Sequence, residues 1–149
     1  MKRTVPRSLG VGMILAVGLL AWGPGHPAPA WSDNACSLRT LKGTYLVACH
    51  GVQGSAQTDW AGAAREQFHG DGTLDGVQTI TDKDTVSHHD SYTGTYTVNP
   101  DCTGTYTSTD ENGVVTHADM FIPRDGSEID MIFTDHTVVD AFVERKVSQ

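Results

Sequence analysis

The sequence predicts an all-β domain, a closed or nearly closed eight-stranded antiparallel up-and-down barrel. Three observations predict it. From residue 31 onward no window keeps apolar residues at i, i+3, i+4 and i+7 for three turns, the spacing an amphipathic helix requires. Thr, Val and Tyr dominate, in runs that alternate with polar residues, as half-buried strands do. Gly, Asp and Asn break these runs at short, even intervals with hairpin-type turns.

Taken in order, alternation places strands near 42–50, 60–69, 73–81, 86–98, 102–109, 113–122, 127–134 and 137–146. Residues 55–66 are ambiguous, because SAQTDWAGAARE could begin as a helical turn. The connections are short. His69-Gly70-Asp71-Gly72 is a tight hairpin in which glycine supplies positive φ. Asn99-Pro100-Asp101 uses proline to pre-set φ. Asn112-Gly113 and Asp125-Gly126 mark two more turns, and Asp135-His136 joins the last pair of strands. A meander of eight strands has two exposed edges, which closure removes. At eight strands the interior holds packed side chains or one small ligand.

Alternation also sorts faces. Val114, Thr116, Ala118 and Met120 share one face; Ile129, Met131 and Phe133 oppose Glu128 and Asp130. The Met120 and Met131 faces are assigned inward. In the last strand Val139, Ala141 and Val143 are assigned inward, which leaves Asp140, Phe142 and Glu144 outside. Inward Tyr45, Phe68, Met120, Met131 and Phe133 are the candidate lining of an apolar ligand cavity, or the filling of a closed core. Gly-Thr-Tyr recurs at 43–45, 94–96 and 104–106, and the last two copies flank the Asn99-Pro100-Asp101 turn. That spacing sets Thr and Tyr side by side across a hairpin.

The first thirty residues read differently. Lys2, Arg3 and Arg7 precede an apolar stretch from Leu9 to Trp22, then a Gly-Pro-rich segment and Ala28-Pro29-Ala30. This is the three-part pattern of a secretory signal, with cleavage expected between Ala30 and Trp31. The apolar run is short of the roughly 20 residues that span a bilayer. No twin-arginine pair is present, and no lipoprotein box precedes Cys36. The expected organisation is a signal peptide over 1–30 and one barrel domain over 31–149, periplasmic or secreted, with no stable membrane insertion after cleavage.

The chain has 10 Lys+Arg and 18 Asp+Glu; loss of the three basic residues and no acidic one leaves a balance of −11. That sign excludes nucleic acid and anionic lipid as partners, since both need a basic footprint. Three cysteines remain, Cys36, Cys49 and Cys102, and an oxidising compartment lets two of them pair. Three pairings are open. Cys36–Cys102 is favoured because it would tie a terminus that precedes the first strand to a distant hairpin. Cys49 then reads as a small buried hydrophobe.

The string from Gly94 to Thr105, GTYTVNPDCTGT, resembles one found in a broad set of small exported bacterial proteins. They share an early Cys before a Gly-Thr-Tyr strand, here Cys36 and Gly43-Thr44-Tyr45. They also share a Phe-x-Gly-x-Gly hairpin, here Phe68 to Gly72, closing with Gly76. The likeness spans roughly residues 36–145. The group is similar to the barrels of the allene oxide cyclase and dirigent type, lipocalin-like (calycin-like) in shape. The resemblance implies the eight-stranded barrel and the Cys36–Cys102 bridge, and it brings no catalytic residue.

Other chemistry is poorly supported. His50, His69, His88, His89, His117 and His136 match no metal-ligand spacing. No Gly-x-Ser-x-Gly elbow accompanies Ser87, Ser91, Ser108 or Ser127. Glu128 and Asp130 share a face, but one expected to be solvated; Asp82 and Asp84 flank a turn. The segment from Asp71 to Gly76 lacks the closing Glu of a calcium loop. No catalytic residue, metal site or cofactor is therefore assigned. The expected function is binding of a small apolar molecule or a partner protein. A structural envelope protein with a filled core ranks next, and a cyclase- or isomerase-like enzyme using the barrel interior ranks last.

Overall fold

The structure, a computed structural model, describes residues 35–149, which lie within the unit Trp31–Gln149. The proposed signal peptide lies outside the described residues. After a 3-10 turn, Leu38–Leu41, come β1 (Gly43–Gln53), β2 (Thr58–Phe68), β3 (Thr73–Asp82), β4 (Thr85–Val98) and β5 (Thr103–Asp110). Then follow β6 (Val115–Phe121), β7 (Glu128–Phe133), β8 (Val138–Val139) and β9 (Ala141–Ser148). Neighbouring strands pair antiparallel in chain order from β1 to β7, then β7 pairs with β9 and β9 with β1. β8 and β9 meet β1 in one register, Val52 opposite Val139 and Ala48 opposite Val143, so they are one strand interrupted at Asp140. The barrel is thus closed and eight-stranded, as the sequence predicts. The ambiguous 55–66 segment resolves into a turn at 54–57 followed by β2.

Why the strands form is legible in their inward residues. β2 turns Trp60, Gly62, Ala64, Glu66 and Phe68 to one side, and the intervening residues are more exposed or face out. The Gly-Thr-Tyr copies behave as cross-strand pairs: Tyr96 faces Tyr106 and Thr97 faces Thr105, with the two threonine hydroxyls 2.8 Å apart. β4 carries a bulge, where the register against β3 shifts between Gln78 and Ile80 and His89 adopts φ +56°.

One end of the barrel is packed solid. Leu41, Tyr45, Phe68, Leu74, Tyr96, Met120 and Ile129 are buried there, with Tyr45 and Tyr96 each edge-on to Phe68 at centroid distances of 5.1 and 5.0 Å. Tyrosine hydroxyls tie the loops of this end down. Tyr45 donates to the Gly126 carbonyl at 2.6 Å, and Tyr96 donates to the Leu38 carbonyl at 3.1 Å while accepting from the Gly70 amide at 3.0 Å. The loop acids Asp71, Asp101 and Asp125 each accept the backbone amide of the Thr or Ser two residues on. A disulfide joins Cys36 to Cys102, where Cys102 holds φ +70°.

The last strand corrects the expected faces. Val139 and Val143 are exposed, as is Ala141, whereas Asp140 and Glu144 are buried and Phe142 packs against the core. Hydropathy inverts here because the inward face of this strand carries acids. Glu144 is held inside by a hydrogen bond to Glu66.

The Cys36–Cys102 bridge closes a separation of 66 residues, a constraint on the unfolded chain worth about 4 kcal/mol. The double variant Cys36→Ser with Cys102→Ser is expected to lose about that much stability in urea unfolding. A loss under about 1 kcal/mol would mean that the closed end is held by its packing and tyrosine bonds alone.

Candidate functional site

Midway along the barrel the packed core ends at a layer of polar side chains. Glu66 on β2 and Glu144 on β9, the strands that flank β1, meet inside the barrel, only 4% and 1% exposed. Glu66 Oε1 accepts two hydrogen bonds, from the Tyr92 hydroxyl at 2.6 Å and the Tyr106 hydroxyl at 2.9 Å. The two carboxyls also hydrogen-bond each other. Apart from that shared bond, their Oε2 atoms meet no protein hydrogen-bond partner. Tyr92 reaches Glu66 by crossing Gly76, where an added Cβ would come within 2.3 Å of its ring.

The electrostatics follow from burial. Desolvation pushes the Glu144 carboxyl well above the usual carboxylate range, and the charge of Glu66 and their shared hydrogen bond push it further. Glu66 is also raised by burial, but its bonds from Tyr92, Tyr106 and Glu144 oppose the rise. Glu144 is therefore the proton-bearing partner at neutral pH and Glu66 the acceptor. Tyr92 and Tyr106 are raised by burial and by the Glu66 charge, so both remain phenols and donors.

Beyond this layer the barrel is hollow. A cavity of about 570 Å³ runs from Glu66, Tyr92 and Tyr106 to the rim formed by the β1–β2, β3–β4, β5–β6 and β7–β8 connections. Small inward residues, Gly62 and Ala64, make the room. Its apolar wall is Val47, Trp60, Ile80, Phe133 and Phe142, with Phe133 6.0 Å from Trp60 and 5.0 Å from Phe142 between ring centroids. Of the five residues expected to line a cavity, Phe133 does so. Tyr45, Phe68, Met120 and Met131 are absent from its lining and are buried in the core cluster.

Cys49 also faces the cavity. Its thiol donates to the Gly62 carbonyl at 3.6 Å, and burial, with the Asp140 charge nearby, raises its pKa to about 12. It is free, and it is no nucleophile at neutral pH. The histidines stand apart from this site. His69 pairs with Asp75 at 2.7 Å and His117 with Asp135 at 2.9 Å, both on the outer face, and His88 and His89 are exposed beside the β4 bulge. Among the described residues no three His, Cys, Asp or Glu side chains gather closely enough to hold a metal ion.

Fold and site together define a class: a small closed up-and-down barrel, packed at one end and hollow at the other. No family profile and no curated protein matches the chain. Among solved structures it is similar to a redesigned β barrel, with a TM-score of 0.50 and 16% identity over 74% of this chain and 95% of that one. At that identity the likeness speaks for the fold alone.

Sequence reasoning missed the carboxyl pair. Parity with Phe68 would have turned Glu66 inward, and reading Phe142 as inward would have carried Asp140 and Glu144 with it.

A carboxyl raised on folding binds protons that the unfolded chain releases. Stability is therefore fullest below the ordinary value of 4.5 and declines as pH rises toward the folded-state value. Glu144→Gln keeps the hydrogen bond to Glu66 and removes that proton. The variant is expected to melt above the natural protein at pH 8, with the difference vanishing near pH 4.5. A constant difference across that range would show that Glu144 does not titrate between the two states.

Proposed function

We propose that this protein is an exported, non-catalytic binding protein that takes a small, largely apolar molecule into the open half of its barrel. The observation that carries the reading is the cavity itself. A core filled throughout would be a scaffold, whereas this interior stops at the Glu66 layer and leaves about 570 Å³ with an aromatic and aliphatic wall among acids and hydroxyls. That volume falls within the usual range for small-molecule sites. Export is supported by the amino-terminal pattern. It is supported too by the disulfide, which is compatible with an oxidising compartment. The Gly-Thr-Tyr and Asn-Pro-Asp-Cys strings shared with small exported bacterial barrels point the same way. The Cys49 thiol, raised by burial, supplies no nucleophile at neutral pH.

The test is a fluorescence titration with N-phenyl-1-naphthylamine, an uncharged probe that brightens in apolar surroundings. Saturable binding is expected, at one probe per chain. Ala64→Phe, which adds a ring at an inward position of the wall, is expected to weaken it by roughly tenfold while leaving the far-ultraviolet spectrum in place. Absence of saturable binding, or binding indifferent to Ala64→Phe, would overturn the reading.

A further inference from the structure

We propose that the ligand is a small organic cation, an ammonium group carried on a flat apolar body, with the ammonium seated against Glu66 Oε2. The inference rests on the reading of the cavity as a ligand site and assigns the chemistry that the site selects.

The charge of the lining has one sign. Glu66, Asp82, Asp90, Asp110 and Asp135 border the cavity, and no Lys, Arg or His does. An anionic ligand would enter against that field, while a cation would be drawn along it. The acids are not equivalent. Asp110 accepts the amides of Asn112 and Val114, and Asp135 is engaged by the His117 amide and ring. Their charge steers, but they are only partly buried and open to water.

Glu66 is different. It is 4% exposed, two tyrosine hydroxyls saturate Oε1, and beyond the proton shared with Glu144 the carboxylate meets no donor at Oε2. A buried carboxylate with acceptor capacity to spare gains from a ligand that brings a donor. An ammonium brings both the donor and the charge that a buried carboxylate lacks. Asp82, nearer the rim, repeats the arrangement: Gln53 donates to Oδ2 at 2.7 Å and Oδ1 is unpartnered.

The body of the ligand follows from the wall. Trp60, Phe133 and Phe142 form a continuous aromatic surface, which packs a flat apolar group and also favours a neighbouring cation through its ring faces. A bare metal ion fits less well, because the acids are spread along the wall and do not converge.

The test is isothermal titration at pH 7 with three indoles of similar shape: tryptamine, uncharged 3-ethylindole and anionic indole-3-propionate. Tryptamine is expected to bind roughly tenfold or more tighter than 3-ethylindole, and indole-3-propionate to bind most weakly. Glu66→Gln is expected to bring the tryptamine affinity down to that of 3-ethylindole. Should that variant not fold, Asp82→Asn is expected to cost tryptamine several-fold, with a weaker dependence on salt. Equal binding of tryptamine and 3-ethylindole would overturn the cation while leaving the cavity reading intact. If none of the three indoles binds and N-phenyl-1-naphthylamine fails as well, both readings fall. Tryptamine preference that survives both Glu66→Gln and Asp82→Asn would overturn the assignment to these carboxylates.

Discussion

Two carboxyl groups taken out of water and set side by side organise the interior of this barrel. Neither could remain ionised there alone, because burial penalises the charge and the neighbour repels it. The structure resolves the conflict by dividing roles. Glu144 keeps a proton, and Glu66 keeps its acceptor strength under two tyrosine hydroxyls. Much of the surrounding sequence serves that division. Gly76 gives Tyr92 its path, and the Gly-Thr-Tyr copy at 104–106 delivers Tyr106 to the same oxygen. The layer then separates two regimes. On one side side chains pack to the density of a protein core; on the other small residues leave space.

The two halves differ in what holds them. At the packed end a disulfide, three aspartate-anchored turns and two tyrosine hydroxyls fasten loops to the body. At the open end the connections are hairpin turns, and the last strand is broken at Asp140. Valines 86, 114 and 139 are exposed around that rim, where a ligand would first meet the protein.

Much of this architecture was legible in the sequence. The turn residues and the period-two alternation located the strands, because each strand packs one face and the hairpin turns demand Gly, Asn or Asp. The Tyr96–Tyr106 pairing followed from the spacing of two Gly-Thr-Tyr copies. The site was less legible, for one physical reason. Alternation identifies an inward face by its hydrophobicity, and the functional layer puts acids on that face. Val139 and Val143 therefore read as core and Glu144 as surface, the reverse of what the barrel does. Cavity lining was misplaced along the barrel axis for a related reason. Inward direction is local, but which inward residues meet a void depends on side-chain size in all eight strands at once. Tyr45, Phe68, Met120 and Met131 point inward at the end that is filled.

Cys49 has a bearing on how such a chain acquires its covalent form. Three cysteines in an oxidising compartment can shuffle, since a thiolate attacks a neighbouring disulfide. In the folded barrel Cys49 sits beside the acidic layer with a pKa near 12, which leaves on the order of one molecule in 10⁵ as thiolate at neutral pH. In the unfolded chain the same thiol is an ordinary one, free to scramble. Folding itself thus silences the odd sulfur, chiefly by burying it, at a site that the Cys36–Cys102 bond never touches.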